Sequence, residues 1–223
     1  MTNLFKWRHY ESDIILTCVR WYLCYALSYR HLEELMTERG LSVDHSTIFR
    51  WVRRYSPELE RRCRPHLKQT NDSWRVDETY VKVRGKWMYL YRAVDSSGMT
   101  LDFLLNETRS NRAAKRFFRK VLGRPNVSAP RVINVDKNPS YIGAVRDLKH
   151  EHLLPAQCKR RASQYMNNIV EQDHRFMKRK INPGLGFGMY PTAWRTIQGY
   201  ETMHMVRKGQ IVGVETGNIQ AQN

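Results

Sequence analysis

Acidic residues are scarce in this chain. Only 21 Asp and Glu stand against 38 Lys and Arg in 223 residues, which gives a net charge of +17. A charge of this size favours a polyanionic partner such as DNA or RNA. A structural protein of the ribosomal kind carries a similar excess, so charge alone does not separate an enzyme from a binding protein.

Cysteine is also sparse, with four residues at irregular spacing and no CxxC pair. This pattern argues against a zinc cluster and a disulfide framework, and it is typical of reduced residues in a cytosolic protein. Long apolar runs are missing too. The stretch IILTCVRWYLCYAL is too short to span a membrane and contains Arg20, so it predicts a buried helix. The N-terminus has no signal-peptide pattern, and we expect a cytoplasmic protein.

Residues 1–70 contain helical patterns and no strand pattern. Ser28 is a good cap for one helix, Gly40 a natural left-handed stop, and Asp44 a good cap for the next. Helix, tight turn and helix together predict a helix-turn-helix at about residues 28–55.

The outer face of the second of these helices is rich in basic and polar residues. In a helix-turn-helix, the start of the second helix reaches base edges, and arginines contact guanine or phosphate. An ordinary helical hairpin with a solvated basic face is the alternative. The candidate DNA-binding residues are His45, Ser46, Thr47, Arg50, Arg53 and Arg54.

Beyond a predicted linker at 56–73, the hydrophobic period changes to two, which predicts strands. Three strands with short turns form an antiparallel meander, and alternating helices and strands follow. The predicted order is strands at 74–83, 87–95 and 99–107, a helix at 111–122, a strand at 131–136, a helix at 139–150, a strand at 152–156, helices at 167–181 and 192–209, and a disordered tail at 210–223.

Asp77 lies inside the first strand, although acidic residues are depleted in strands. Asp136 ends the fourth strand, where sheets of this type place their sites, and the two strands are expected to be parallel neighbours. Glu171 borders the apolar row of the late helix, which is formed by Met166, Val170, Met177 and Ile181.

Three convergent carboxylates would repel one another without a cation. Carboxylate oxygens suit Mg²⁺ or Mn²⁺, and two such ions can assist the attack on a phosphodiester. A metal neighbour therefore explains why the first strand tolerates Asp77. The sequence predicts a metal site made by Asp77, Asp136 and Glu171.

The segments WRVDETYVKVRGKWMYLYRAVD, INVDKNPSY and NNIVEQDHRFMKRK resemble the three acidic motifs of DDE transposases in the insertion-sequence-six family. The segment ALSYRHLEELMTERGLSVDHSTIFRWV resembles that family's N-terminal helix-turn-helix. The resemblance runs from about Leu4 to Gln210. It implies an α/β fold: a ribonuclease H-like mixed sheet, or integrase-type catalytic core, at 74–209, preceded by an all-α helix-turn-helix domain at 1–70.

The resemblance also implies a function. A transposase of this family binds the terminal inverted repeats of a bacterial insertion sequence and catalyses metal-dependent strand cleavage and transfer, with cointegrates as the usual product. Asp77, Asp136 and Glu171 match the catalytic, metal-binding acids, and Lys178 matches the basic residue after the glutamate. The resemblance further implies two Mg²⁺ or Mn²⁺ ions per site and a double-stranded DNA substrate. It also implies an assembly of at least two chains that lies on the bacterial nucleoid when bound to DNA.

Several neighbours of these motifs have less specific patterns. Alternation points Glu78 to the strand face opposite Asp77, which indicates a structural role. Asp173 is expected to point away from Glu171, while His174 suits either a DNA contact or the surface. Asp95 and Asp102 are expected to be solvated, and Trp74, Trp87 and Trp194 are expected to pack in the core. Lys159, Arg160 and Arg161 are expected to lie in a loop that contacts DNA.

Other classes of function remain open from the residues alone. A helix-turn-helix regulator would need no metal ion, and its three acidic residues would not have to come together in one site. A nuclease of the same fold would cut DNA without joining it. A tyrosine recombinase is disfavoured, because no arginine-histidine-tyrosine constellation is evident.

Overall fold

The computed structural model describes Phe5 and residues 9–162 and 168–222. In these ranges no helix is long and apolar enough to cross a membrane. The helices are α1 Ser12–Cys24, α2 Tyr29–Thr37, α3 His45–Cys63, α4 Asn111–Leu122, α5 Pro139–His150, α6 Asn168–Ile181 and α7 Tyr190–Arg207. The strands are β1 Ser73–Val83, β2 Lys86–Asp95, β3 Thr100–Asn106, β4 Val132–Val135 and β5 Lys159–Ala162.

The five strands form one mixed sheet in the order β3-β2-β1-β4-β5. The first three strands are antiparallel neighbours, whereas β4 pairs in parallel with both β1 and β5. This arrangement confirms the predicted ribonuclease H-like sheet. It also places the carboxyl end of β4 beside the middle of β1.

The predicted fifth strand at 152–156 was wrong. The amides of Leu153 and Leu154 bond back to the carbonyl of Leu148, and His152 has a φ of 57°, so this segment closes the end of α5. The strand is instead 159–162, the run expected to be a loop. Its basic side chains are mostly exposed, and cations on an edge strand discourage pairing with another chain.

The sheet is covered on both faces. Helices α4 and α5 enclose a core around Trp74, Phe117 and Tyr141 on one face. On the other face, α6 and α7 join α1, α2 and α3 in a second core, which includes Val81 and Leu90 of the sheet. The N-terminal helices therefore share a core with the sheet, and the division near residues 70–74 stays a prediction.

The linker predicted at 56–73 begins as helix, since α3 continues to Cys63 with Pro57 inside it. Ion pairs from Glu58 to Arg61 and Arg62 span this part of the helix, and α3 packs along α7, so tertiary contacts outweigh the cost of proline. The start of the predicted disordered tail is also ordered. The side chain of Gln210 is buried and bonds both backbone groups of Thr100.

Two aspartates expected in solvent are buried. The carboxylate of Asp95 bonds the amides of Asn71, Ser97 and Met99, so it organises a turn. Asp102 lies between three cations, with its carboxylate 2.6 Å from Arg64 Nη2 and 2.6 Å from Arg124 Nε, and 3.0 Å from Lys120 Nζ.

Candidate active site

Asp77 and Asp136 are brought together by the register of two parallel strands. Ser73, Trp74 and Arg75 of β1 pair with Val132, Ile133 and Asn134 of β4. Extending this register by two residues sets Asp77 opposite Asp136. Asp136 follows the last residue of β4, and its Oδ1 accepts the amide of Asn138, whose own side chain caps α5. The sequence NPSY therefore fixes the aspartate where the strand ends.

The structure adds Glu78 to this pair. One carboxylate oxygen from each of Asp77, Glu78 and Asp136 lies within 4.8 Å of the other two. The prediction that Glu78 faces away and serves a structural role did not foresee this. Described pairing between β1 and β4 stops at Arg75, and Phe187 next pairs with β1 at Val83. The β1 edge between these positions is open, so side chains from both faces can reach the same space.

Two residues that sequence patterns did not single out hold Glu78. Arg109 contacts Oε1 of Glu78 through Nε, and its Nη2 lies 2.5 Å from Oδ2 of Asp136. The hydroxyl of the buried Tyr141 donates to Glu78. Burial, together with the charge of Asp77, raises the pKa of Tyr141 well above its usual value, so the hydroxyl keeps its proton. Neither residue has a strong signal in the sequence. Arg109 is a single arginine before Ser110, which caps α4, and Tyr141 lies on the apolar face of α5.

Helix α6 approaches the same carboxylates from the other face of the sheet. His174 is buried, and its Nε2 lies 3.3 Å from Oδ2 of Asp77. Burial lowers the pKa of His174, although Asp77 acts in the opposite direction. A neutral ring can still donate one hydrogen to the aspartate. Burial excludes the surface position considered from sequence, and a contact with DNA stays a prediction.

Glu171 stands one helical turn before His174 and is exposed. Residues three apart lie on the same side of a helix, so Glu171 is on the face that carries His174 toward Asp77. Its carboxylate is not part of the group formed by Asp77, Glu78 and Asp136. Of the predicted apolar row on α6, Val170, Met177 and Ile181 are buried, while Met166 lies outside the described residues.

Asp173 points away from the carboxylate group, as expected, but into the protein. Its carboxylate lies 2.6 Å from Arg92 Nη2, 2.7 Å from His204 Nε2 and 2.5 Å from Lys208 Nζ. Burial alone would raise the pKa of Asp173, but the charges of Arg92 and Lys208 and the hydrogen bond with His204 outweigh burial and lower it. Arg92 is fully buried and also pairs with Glu201, so this network joins α6 and α7 to β2.

The residues predicted to bind DNA lie on α3, β5 and α6. On α3, Asp44 caps the helix, Arg50 and Arg54 are exposed, and Arg53 is half-buried over the ring of Phe49. His45, Ser46 and Thr47 are half-buried at the start of α3. There the ring of His45 pairs with Glu33, and the amide of Ser46 donates to the carboxylate of Asp44. Lys159, Arg161 and Lys178 are exposed, and Arg160 is half-buried.

Comparison with known proteins gives concordant matches. A family model described as a DDE domain matches residues 71–210. The chain is 37% identical over 207 residues to the Staphylococcus aureus transposase for insertion sequence-like element IS431mec, covering 92% of this chain and 89% of that protein. The Staphylococcus aureus transposase for insertion sequence element IS257 in transposon Tn4003 matches with the same identity and coverage. Among solved structures, the dimeric HTLV-2 integrase catalytic core domain in complex with magnesium is 16% identical, with a TM-score of 0.47, over 67% of this chain and 94% of that one.

Proposed function

The chain belongs to the insertion-sequence-six family of DDE transposases, and from that premise we propose which residues carry out its reaction. As a transposase it is a polynucleotidyl transferase that acts on DNA. Asp77, Asp136 and Glu171 are the proposed catalytic acids. The observation that carries this assignment is the register that sets Asp77, inside β1, opposite Asp136, just past the carboxyl end of the parallel strand β4.

A DDE domain works with divalent metal ions, and we propose two Mg²⁺ or Mn²⁺ ions per site. The donor set fits, because carboxylate oxygens of Asp77 and Asp136 lie close together and are only partly buried. Glu171 would join them from α6, since it lies on the helix face that carries His174 toward Asp77. When bound, such ions activate an attacking hydroxyl and stabilise the leaving oxygen of a phosphodiester.

The proposed reaction has two steps at phosphorus. Water first attacks a phosphodiester at the end of the element, and the bond from phosphorus to the 3′ oxygen breaks, which frees a 3′-hydroxyl. That hydroxyl then attacks a target phosphodiester, so one phosphorus–oxygen bond forms as another breaks. The number of phosphodiesters is unchanged in the second step, and no covalent intermediate with the protein is needed. Cointegrates are the proposed product.

Basic residues around the carboxylates are suited to hold the DNA backbone. Lys178 lies two helical turns after Glu171, on the same side of α6, and is exposed. Lys159, Arg160 and Arg161 lie on β5, directly beside the strand that leads to Asp136. We propose that these cations bind phosphates on either side of the reacting bond.

Recognition of the element ends is proposed for the helical region. Residues 28–55 would act as a helix-turn-helix, with His45, Ser46, Thr47, Arg50, Arg53 and Arg54 facing the terminal inverted repeat. Because two ends must meet for strand transfer, an assembly of at least two chains is proposed. Its proposed place is the bacterial cytoplasm, on the nucleoid when bound to DNA.

A strand-transfer assay tests this function. Labelled terminal DNA, a plasmid target and Mg²⁺ are incubated with the wild type, Asp136→Asn and the control Asp147→Asn. Among the described residues, the Asp147 carboxylate has one ion pair, with Arg146 at 3.4 Å. Joined products are expected with the wild type and the control, and none with Asp136→Asn or in excess EDTA. Cutting without joining would indicate a nuclease. Binding without either, or joining that persists in EDTA, would contradict the proposal.

A further inference from the structure

Exposed aromatic rings cover the free end of the β1–β2 hairpin. The side chains of Tyr80 and Trp87 are 53% and 62% exposed, although such large rings are usually buried. The ring centroids of Tyr80 and Trp87 are 6.3 Å apart, and those of Tyr80 and Tyr89 are 5.3 Å apart. Trp87 thus lies outside both cores, although a packing role was expected from sequence, and with Tyr80 and the half-buried Tyr89 it forms one patch of three neighbouring rings.

The register puts these rings on the face that carries Glu78. Tyr80 pairs directly with Tyr89, and Lys82 pairs with Trp87, so each pair shares a face of the sheet. Alternation along β1 places Glu78 and Tyr80 on that same face, about 7 Å apart along the strand. Nearer the centre of the sheet this face is buried against α4 and α5. Tyr89 still packs partly against that core, whereas Tyr80, Lys82 and Trp87 are exposed.

Positive charge surrounds the rings. Lys82 Nζ lies 6.0 Å from the centroid of the Trp87 ring. Arg84 and Lys86 flank the turn and are exposed. Residues 79–90 contain no acidic residue, and among the described residues none of these three cations has an ion pair close enough to count as a salt bridge. The patch therefore combines flat apolar rings with cations that are available to a polyanion.

We propose that Tyr80, Trp87 and Tyr89, with Lys82, form a stacking platform for unpaired bases of the DNA strand that reacts. Aromatic faces beside a basic groove bind single strands, because every base can stack on a ring while the cations follow the backbone. A base paired within a duplex does not offer its face to a ring in this way. The planes of Tyr80 and Trp87 are 80° apart, so each ring offers a separate face. The platform rests on the proposed function, since it begins one alternation step from the carboxylate group.

The test compares two oligonucleotides that differ only in their bases. A fluorescein-labelled oligo-dT strand and an abasic strand of the same length are titrated with protein, and binding is followed by anisotropy at fixed salt. Loss of stacking on one ring should weaken binding about 5- to 150-fold. The wild type should prefer the strand with bases by such a factor. Trp87→Ala and Tyr80→Ala should lose much of that preference, and Trp87→Phe should retain most of it.

Controls separate this proposal from the function on which it rests. Tyr25→Ala removes another exposed ring, 43% exposed, and should leave the preference unchanged. Duplex terminal DNA should bind equally to all variants, which also shows that they are folded.

If the wild type joins DNA ends but Trp87→Ala and Tyr80→Ala keep the full preference for bases, the platform is refuted while the transposase function stands. If the wild type prefers bases but fails to join ends, the proposed chemistry fails and the platform is retained. A change of sedimentation with unchanged preference would identify the patch as a contact between copies of the chain and overturn the proposal.

Discussion

The ring of His174 lies against Asp77, with Nε2 3.3 Å from Oδ2. This contact joins α6 to β1 at the level of the carboxylate group. The contact lies on the face of α6 that also carries Glu171, one turn earlier. Since His174 is buried and Asp77 is only partly buried, the ring approaches the aspartate from inside the protein.

Replacing His174 with Ala is expected to slow strand joining by about 10- to 100-fold, because Asp77 would lose the group that orients it. His174→Gln, which keeps a hydrogen-bond donor of similar reach, should recover part of the rate. The exposed His150 provides the control His150→Ala, which should join at the wild-type rate. Equal rates for the wild type and His174→Ala would show that the contact does not position Asp77.

Asp173→Asn should destabilise the fold. The sequence predicts no role for Asp173 in the carboxylate site, and the structure gives it a role in stability instead. Asp173 neutralises the fully buried Arg92, and removing one partner of a buried ion pair costs about 3–5 kcal/mol. Urea unfolding should report this loss in the free energy of unfolding. Asp147→Asn, as control, should change it by less than about 0.5 kcal/mol. A small effect of Asp173→Asn would mean that Glu201 alone compensates Arg92.

Stability should fall in acid partly through Asp102. Burial alone would raise the pKa of Asp102, but Arg64, Lys120 and Arg124 outweigh burial and lower it. A lowered pKa in the folded state gives stability that is present above the unfolded value of about 3.9 and is lost as the pH falls through the folded value. The free energy of unfolding of the wild type should therefore decline below about pH 4, and that of Asp102→Asn should decline less. Parallel curves would contradict this.

Arg50→Ala is expected to weaken binding to the correct terminal repeat by about 1–3 kcal/mol if Arg50 contacts a base. The exposed guanidinium bonds Ser46 Oγ at 3.0 Å, which holds it near the start of α3. Gel-shift titrations at fixed salt should compare the terminal repeat with random duplex DNA. Arg195→Ala, at an exposed position of α7 outside the proposed helix-turn-helix, serves as a control for loss of an exposed charge. An equal loss on both DNAs would show that Arg50 contacts phosphate only.

Much of this architecture was predictable because its signals are local. Period-two alternation gave β1, β2 and β3, and Ser28, Asp44, Ser110 and Asn138 each cap the helix predicted to follow them. The pairing of β1 with β4 followed from the order of the elements, so Asp77 and Asp136 could be placed together. The family and the transposase function were likewise predicted from the three acidic motifs, and the comparisons confirm both.

What could not be predicted depends on contacts distant in sequence. Nothing local distinguishes Lys159–Ala162 from a basic loop, since only pairing with β4 makes it a strand. Arg109 and Tyr141 reach Glu78 from separate segments, and Asp102 gathers three cations from two further segments. Trp87 was expected to pack because large aromatics usually do. Its exposure follows from the open face of the hairpin, which alternation alone does not reveal.

Glu171 provides a test that separates function from stability. Its side chain is exposed, and it forms none of the salt bridges found among the described residues, so Glu171→Gln should change the free energy of unfolding by less than about 0.5 kcal/mol. The same change should abolish cleavage and joining, because the proposed site would lose its third acid while duplex binding by residues 28–55 survives. Gln172→Ala, at the exposed neighbouring position, is the matched control and should keep wild-type activity. Joining by Glu171→Gln at near the wild-type rate would remove Glu171 from the site and leave Glu78, already beside Asp77 and Asp136, as the acid to test next.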